Sequence, residues 1–521
     1  MIRRLIESPF LYLLIFLYYA IGLTGFSVPL TGDQKVYLSI ALEMREKGEW
    51  LIPQLFHEAN FLKPPFQYWA TLMGWKIFGL SLFGALLPSV IAMMGAIYFI
   101  NHISWQISRQ ISKNGSKIPG LVFAATIGTM TYATTAQMEI WIVFFYVAAW
   151  SQFLKKEYFS ALFLVGMMAW VKGPLYPVLW VMSVALWYFL EKDFKSFFKS
   201  KFLMSLGLGV VVGLAWYAAA AQTHLQEMLN VFLLRENVGK MQTGQGSPIG
   251  LWSEFLYSIF PVVFLFAAEL TSSETRSKIW TNRNFYISYA AIPALFFTFF
   301  PYRVNTYLYL LMPAVALMMG ESEEEIKNPI ARGISSVVVF LSVALSFLLY
   351  RLMMGHWIGP ELAVPMMILF LVWGFFSTTW NKSSVAMLSL ILVSLIRVAA
   401  VQIGEKDVYG LRSFHEAHPQ TPLAYWIEGK DIWHEFGLMS AAMGQPIGWF
   451  DQKADLESFL KQGGAVIYQD EMVPTVSDLK CEDWWRLKRR TKFPLQKLLT
   501  EGVEFGDPSL MRKYVICTAT K

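Results

Sequence analysis

Apolar runs of about 20 residues recur along the chain between short polar segments, which is the length a helix needs to cross a bilayer. The pattern predicts a mainly α, polytopic membrane fold of about 13 spanning helices. They fall near 8–30, 82–104, 119–137, 139–154, 157–171, 174–190, 202–222, 250–270, 283–300, 304–320, 333–350, 361–380 and 384–401. The first run has a basic front like a signal peptide, but its apolar stretch is too long and no A-x-A site follows, so it is expected to stay as the first helix. Arg3 and Arg4, then Arg109, Lys113 and Lys117, then Lys155 and Lys156, then Lys192, Lys195, Lys199 and Lys201, then Arg276, Lys278 and Arg283 all fall on one side, the expected cytoplasm. The opposite side receives two longer loops, 31–81 and 223–249, and the tail. The domains expected are therefore a membrane part, 1–401, and a tail, 402–521. In the tail, short apolar runs alternate with helical ones, which predicts a small α/β module with a mainly parallel sheet.

Composition agrees with a membrane class: 55% apolar, 15% charged, 20 Trp and 41 Phe. A net charge of +6 spread over alternate loops does not point to nucleic acid. Cys481 and Cys517 can pair or stay free, and no disulfide framework is visible. The seven histidines show no helical ligand spacing, so no metal is expected. "ESEEEIKNPIAR" reads as a charged linker. "CEDWWRLKRRTK", 481–492, reads as a solvated face or as a contact for anionic headgroups through Arg486, Lys488, Arg489 and Arg490.

The first long loop carries the candidate chemistry. In "DQKVYLSIALEMREKGEW", Val36, Tyr37, Ile40, Ala41 and Met44 share a helical face, while Lys35, Glu43, Glu46 and Lys47 lie elsewhere. This predicts an amphipathic helix along the membrane surface, ended by Gly48. Asp33 at its start is an N-cap, a catalytic carboxylate, or both. Then comes "NFLKPPFQYW", where the prolines push Lys63 towards extended geometry. Lys63 either snorkels to lipid headgroups or grips an anion on a lipid.

The order "DQKVYLSIALEM", "GEWLIPQL", "LKPPFQYW" resembles the first loop of the GT-C superfamily of lipid-phosphate-sugar-dependent glycosyltransferases, which includes the lipid A aminoarabinose transferases and the protein O-mannosyltransferases. "MAWVKGPLYPVLW" and "YRVNTYLYLLMPAVALMMG" resemble two further family motifs, and "RENVGK" a weaker one. The resemblance implies an inverting enzyme that moves a sugar from a polyprenyl phosphate to a glycolipid, lipid A included, or to a protein. It implies a bacterial inner membrane, with site and tail on the outer side, and no cofactor. Carried over residue by residue, Asp33 is the catalytic carboxylate. Lys63, Lys172, Arg303, Tyr37, Tyr68, Tyr307 and Glu139 are substrate-binding candidates.

Chemistry supports the cations. The leaving group is an anionic lipid phosphate, which needs positive charge rather than a general acid. Asp33 takes a proton if the acceptor is a hydroxyl, and otherwise orients the sugar. Three family acids are replaced here, by Gln34, Leu62 and Gln137. Glu139 lies two residues beyond Gln137, about 200° around a helix. A flippase, a lipid-linked-glycan polymerase and a non-catalytic polyprenyl-phosphate binder stay open as alternatives.

Overall fold

The computed structural model describes residues 8–23, 25, 33–108, 117–320, 329–377, 382–427, 435–469, 479–487 and 511–519. A helix, or a pair of shorter ones, stands at each predicted span. In order these are α1 (Pro9–Ile21), then, after the first loop's own α2 (Asp33–Lys47) and α3 (Phe66–Phe78), α4 (Leu82–Ser108), α5 (Ile118–Ala124), α6 (Ile127–Ala133), α7 (Glu139–Leu154) and α8 (Tyr158–Lys172). There follow α9 (Leu175–Leu190), α10 (Ser200–Met228), α11 (Pro248–Ile259), α12 (Val263–Glu269), α13 (Arg283–Phe299), α14 (Met312–Gly320), α15 (Pro329–Met354), α16 (Pro360–Ser377) and α17 (Lys382–Ala417). Four helices among the described residues are long and apolar enough to cross a membrane, or five if the α11–α12 pair, bent by 95°, counts as one span. The chain is a multi-pass membrane protein.

Three predicted spans are broken, each for a local reason. Thr126 caps α6 by accepting a hydrogen bond from Thr129 N at 3.2 Å, so α5 and α6 part there. Pro261 lacks the N–H that would carry α11 into α12. A 3-10 turn, Asn305–Leu311, precedes α14. The second loop is itself largely helical: α10 passes into a π-helical stretch, Leu229–Val238, and a short turn, Gly239–Gln242. α8 and α10 meet through glycines, since a Cβ on Gly166 would stand 2.6 Å from the Gly209 carbonyl oxygen.

The helix that opens the first loop does not lie on a surface. α2 is buried from Gln34 to Met44 on every face, packed against α3 on one side and α18 (Phe436–Met443) on another. Its polar residues face protein partners instead of headgroups, which is the physical reason the amphipathic reading fails. Lys35 donates to Glu435 at 2.6 Å, and Ser39 Oγ accepts from Gly437 N at 3.1 Å. Glu43 accepts from Phe56 N and His57 N, both at 2.8 Å, and from the Trp449 indole at 3.1 Å. Those amides belong to the turn between β1 (Gln54–Leu55) and β2 (Glu58–Ala59).

α17 runs past the predicted end of the last span at 401 to Ala417. Beyond it lie β3 (Leu423–Trp426), β4 (Gly448–Phe450), α19 (Lys453–Lys461), β5 (Ala465–Gln469), β6 (Leu479–Leu487) and β7 (Met511–Ala519). The sheet order is β4-β3-β5-β7-β6, with β3 parallel to β4 and β5, and β7 antiparallel to β5 and β6. The sheet is therefore mixed rather than mainly parallel. Cys481 and Cys517 face each other across β6 and β7 and are disulfide-bonded, a pairing that the spacing did not reveal because strand register is invisible in it. Arg486 is not a headgroup ligand: it is buried, bonded to Asp407 at 2.9 Å and paired with Glu435. Lys488, Arg489 and Arg490, and most of "ESEEEIKNPIAR", lie outside the described residues.

Candidate active site

The Lys-Gly-Pro signature is a helix junction. Lys172 ends α8, Gly173 takes φ +98°, a value L side chains rarely adopt, and Pro174 precedes α9. Lys172 thus stands at the negative end of one helix dipole, and Glu139, first residue of α7, at the positive end of another. The two join at 2.6 Å. Gln137 and Met138 precede the helix, so the 200° rotation between Gln137 and Glu139 does not apply, and Glu139 faces Lys172 directly.

Lys63 is positioned from the other side. Leu62 N bonds Asn60 Oδ1 at 3.1 Å, Phe61 packs on Trp216, and Pro65 caps α3. Lys63 Nζ meets Glu236 at 2.7 Å, and Lys240 meets the same carboxylate at 2.6 Å from one helical turn on. Lys63, Lys172, Lys240 and Glu236 line one cleft, with about 100 Å³ of room, walled by Tyr176, Tyr307 and Phe232. The Lys172 ammonium lies 5.5 Å from the centre of the Tyr307 ring. Glu236 and Lys240 belong to the weak "RENVGK" motif, and their signal in the sequence is an acid–base pair at i, i+4.

Asp33 is the first helical residue of α2, inside the helix rather than at the position before it. It lies within electrostatic reach of Glu139, Lys172, Lys63 and Lys240. Burial, then Glu139, pushes its carboxyl above the usual aspartate range, and the three lysines pull against that. Burial likewise pulls the Lys63 ammonium down, with Glu236 opposing. Tyr37 and Tyr68 meet edge-to-face at 5.9 Å behind Asp33. The Tyr68 hydroxyl is buried with no hydrogen-bond partner among the described residues.

Arg303 stands apart. It does not line the cleft, and its guanidinium donates to the carbonyls of Thr298 at 2.9 Å and of Gly246 and Pro301 at 3.4 Å. With Arg303 N on Gln245 O at 2.7 Å, it ties the second loop to the end of α13. Beyond Phe232, an apolar groove of about 500 Å³ runs between α8, α9 and α10, lined by Gly213, Leu214 and Val178 among others. Among the described residues no group of His, Cys, Asp and Glu stands arranged to hold a metal ion.

No protein-family model matches the chain. The fold is that of ArnT from Cupriavidus metallidurans, whose apo crystal structure superposes with a TM-score of 0.71 over 98% of this chain and 99% of that one, at 14% identity. The same protein bound to undecaprenyl phosphate gives 0.70. Fold and named sequence relatives together mark the chain as a glycosyltransferase with the fold of ArnT. Among its relatives in sequence, an undecaprenyl phosphate-alpha-4-amino-4-deoxy-L-arabinose arabinosyl transferase of Enterobacter sp. (strain 638) is 21% identical over 509 residues, 91% of this chain and 90% of that one. An uncharacterized protein of Aquifex aeolicus (strain VF5) is 26% identical over 350 residues, 64% of this chain and 68% of that one.

Proposed function

We propose that this chain transfers a sugar from a polyprenyl phosphate to an envelope glycolipid of the lipid A kind. It would do so in a bacterial inner membrane, with the cleft and the tail, 402–521, on the periplasmic side. The observation that carries this reading is the convergence of Lys63, Lys172 and Lys240 on one cleft that shares its Phe232 wall with an apolar groove. A phosphate with a long hydrocarbon tail has that shape and charge. The relative that binds undecaprenyl phosphate with the same fold supports the choice.

The acceptor oxygen attacks the anomeric carbon as the bond from that carbon to the phosphate oxygen breaks. The electron pair passes to the phosphate, which gains charge, and the lysines stabilise it. Glu139 and Glu236 hold the ammonium groups in place, so little reorganisation is needed when the phosphate arrives. Asp33 accepts the proton of a hydroxyl acceptor; its raised pKa makes it a better base than an exposed aspartate. Tyr68 has a hydroxyl left over for the sugar or the phosphate. Tyr37, Tyr307 and Glu139 orient what the lysines bind, and Arg303 acts through the loop it ties down.

The test uses purified protein in lipid, a polyprenyl-phosphate sugar, and separate assays of donor binding and transfer. Asp33→Asn should bind donor as before and lose about 100-fold or more in turnover. Wild-type turnover in a folded Asp33→Asn protein would remove Asp33 from the chemistry. No transfer by the wild type to any envelope acceptor would leave a binder of polyprenyl phosphate.

A further inference from the structure

A third cavity, of about 390 Å³, lies between α1, α6 and α17. It is separate from the lysine cleft and shares no lining residue with it. Its lining is mostly apolar, with one charge, that of Arg397. Arg397 is 5% exposed and lies in Val385–Ala417, the part of α17 apolar enough to span a membrane. An arginine at such a place normally meets a carboxylate or a set of carbonyls. Arg397 has neither. Among the described residues its Nε has no hydrogen-bond partner, and the one hydrogen bond it makes there is a long 3.5 Å contact from Nη2 to the Gly22 carbonyl.

The rest of the lining says what would complete it. Ser394, one turn before Arg397, and Thr134 opposite donate their hydroxyls to their own helices, at 2.5 and 2.8 Å. Neither is acidic. Ile21, Tyr18 and Val398 line the same cavity and are exposed on the outside of the bundle, at 68%, 38% and 38%. The mouth is therefore apolar and faces where lipid would be. A planar guanidinium with free donors fits a phosphate through two oxygens. Across α6 from this cavity, Tyr132 lies within electrostatic reach of both Asp33 and Glu139.

We infer that the Arg397 cavity seats a phosphate-bearing lipid that enters sideways from the bilayer, distinct from the donor lipid, and that this lipid is the acceptor. The word acceptor rests on the transferase reading; the binding site does not.

The experiment places the protein in phosphatidylcholine nanodiscs and counts retained phosphatidic acid by native mass spectrometry. The wild type should hold one more phosphatidic acid than Arg397→Leu, and Arg397→Lys should be intermediate. Val398→Trp, an exposed change at the mouth, should also lower occupancy, which keeps the test valid where Arg397→Leu does not fold. Millimolar inorganic phosphate should not displace the lipid, and neither should undecaprenyl phosphate. Equal occupancy in a folded Arg397→Leu protein, displacement by inorganic phosphate, or competition by undecaprenyl phosphate would each overturn the site. In the transfer assay Arg397→Leu should raise KM for the acceptor at least tenfold and leave KM for the donor unchanged; the reverse pattern would overturn the acceptor role. A chain that transfers nothing would defeat the transferase reading, while the lipid count would still decide the site.

Discussion

Lys172 and Glu139 sit at facing helix ends, joined at 2.6 Å, and Asp33 feels both. Replacing Glu139 by Gln removes a neighbour that raises the Asp33 pKa and also frees the full charge of Lys172, which lowers it. Both changes have the same sign. A base must be ionised to work, so the acid limb of the rate profile should move to lower pH in Glu139→Gln. The check is kcat/KM against pH for the two proteins; an unmoved acid limb would show that Asp33 does not set it.

Lys63 and Lys240 share Glu236, so either can be removed without leaving that carboxylate alone. Lys63→Ala should therefore fold, bind donor phosphate more weakly, and lose about 2.7–4 kcal/mol of transition-state stabilisation. Lys240→Ala should lower donor affinity, with a smaller salt dependence of binding. Isothermal titration at two ionic strengths and single-turnover rates measure these effects.

Arg303→Ala should behave otherwise, because its partners are loop carbonyls. The expected loss is about 1–2 kcal/mol of stability from hydrogen bonds to those carbonyls. Donor affinity should fall less than in Lys63→Ala. Thermal unfolding beside donor titration separates the two kinds of residue.

Gly213 lines the apolar groove, and a Cβ there would meet Ala169 at 3.4 Å, an ordinary contact. Gly213→Leu should fold and fill part of the groove. It should weaken binding of a long polyprenyl phosphate about tenfold, as loss of about two buried methylenes would at about 0.8 kcal/mol each. A short-chain isoprenyl phosphate should bind as before. Equal loss for both lengths would mean that the tail lies elsewhere.

Glu435 holds Lys35 of α2 and Arg486 of β6 at once, all three nearly buried. Glu435→Gln leaves Lys35 without this carboxylate, and breaking a buried pair costs about 3–5 kcal/mol. The melting temperature should drop, and turnover with it. Unchanged turnover at a temperature where the variant is folded would show that α2 holds Asp33 without this pair.

Periodicity made the helices legible, since each predicted span meets a helix or a broken one. It did not show the breaks, because caps such as Thr126 act on a single turn. The cleft was half legible. Lys63 and Lys172 stand out because prolines and glycine punctuate them, while Lys240 and Glu236 lie in an undistinguished helical stretch. Arg303 matched a motif, yet its side chain turned to backbone carbonyls. The burial of α2 was hidden for another reason: its polar positions read as a wet face, and their partners, Glu435 and Trp449, lie about 400 residues away in sequence.

That last contact makes the tail part of what holds α2, and with it Asp33, in place. Ser39, Lys35 and Glu43 are held by residues at 435–449, and Gly437 approaches the α2 backbone so closely that a Cβ would stand 2.3 Å from the Leu38 carbonyl carbon. Grafting a relative's tail onto this membrane part would therefore misalign the carboxylate unless α2 travelled with it. The heritable unit runs across the chain's two ends, pairing residues 33–47 with the stretch after 435, so covariation should appear between them before it appears between the tail and the helices nearest to it in sequence.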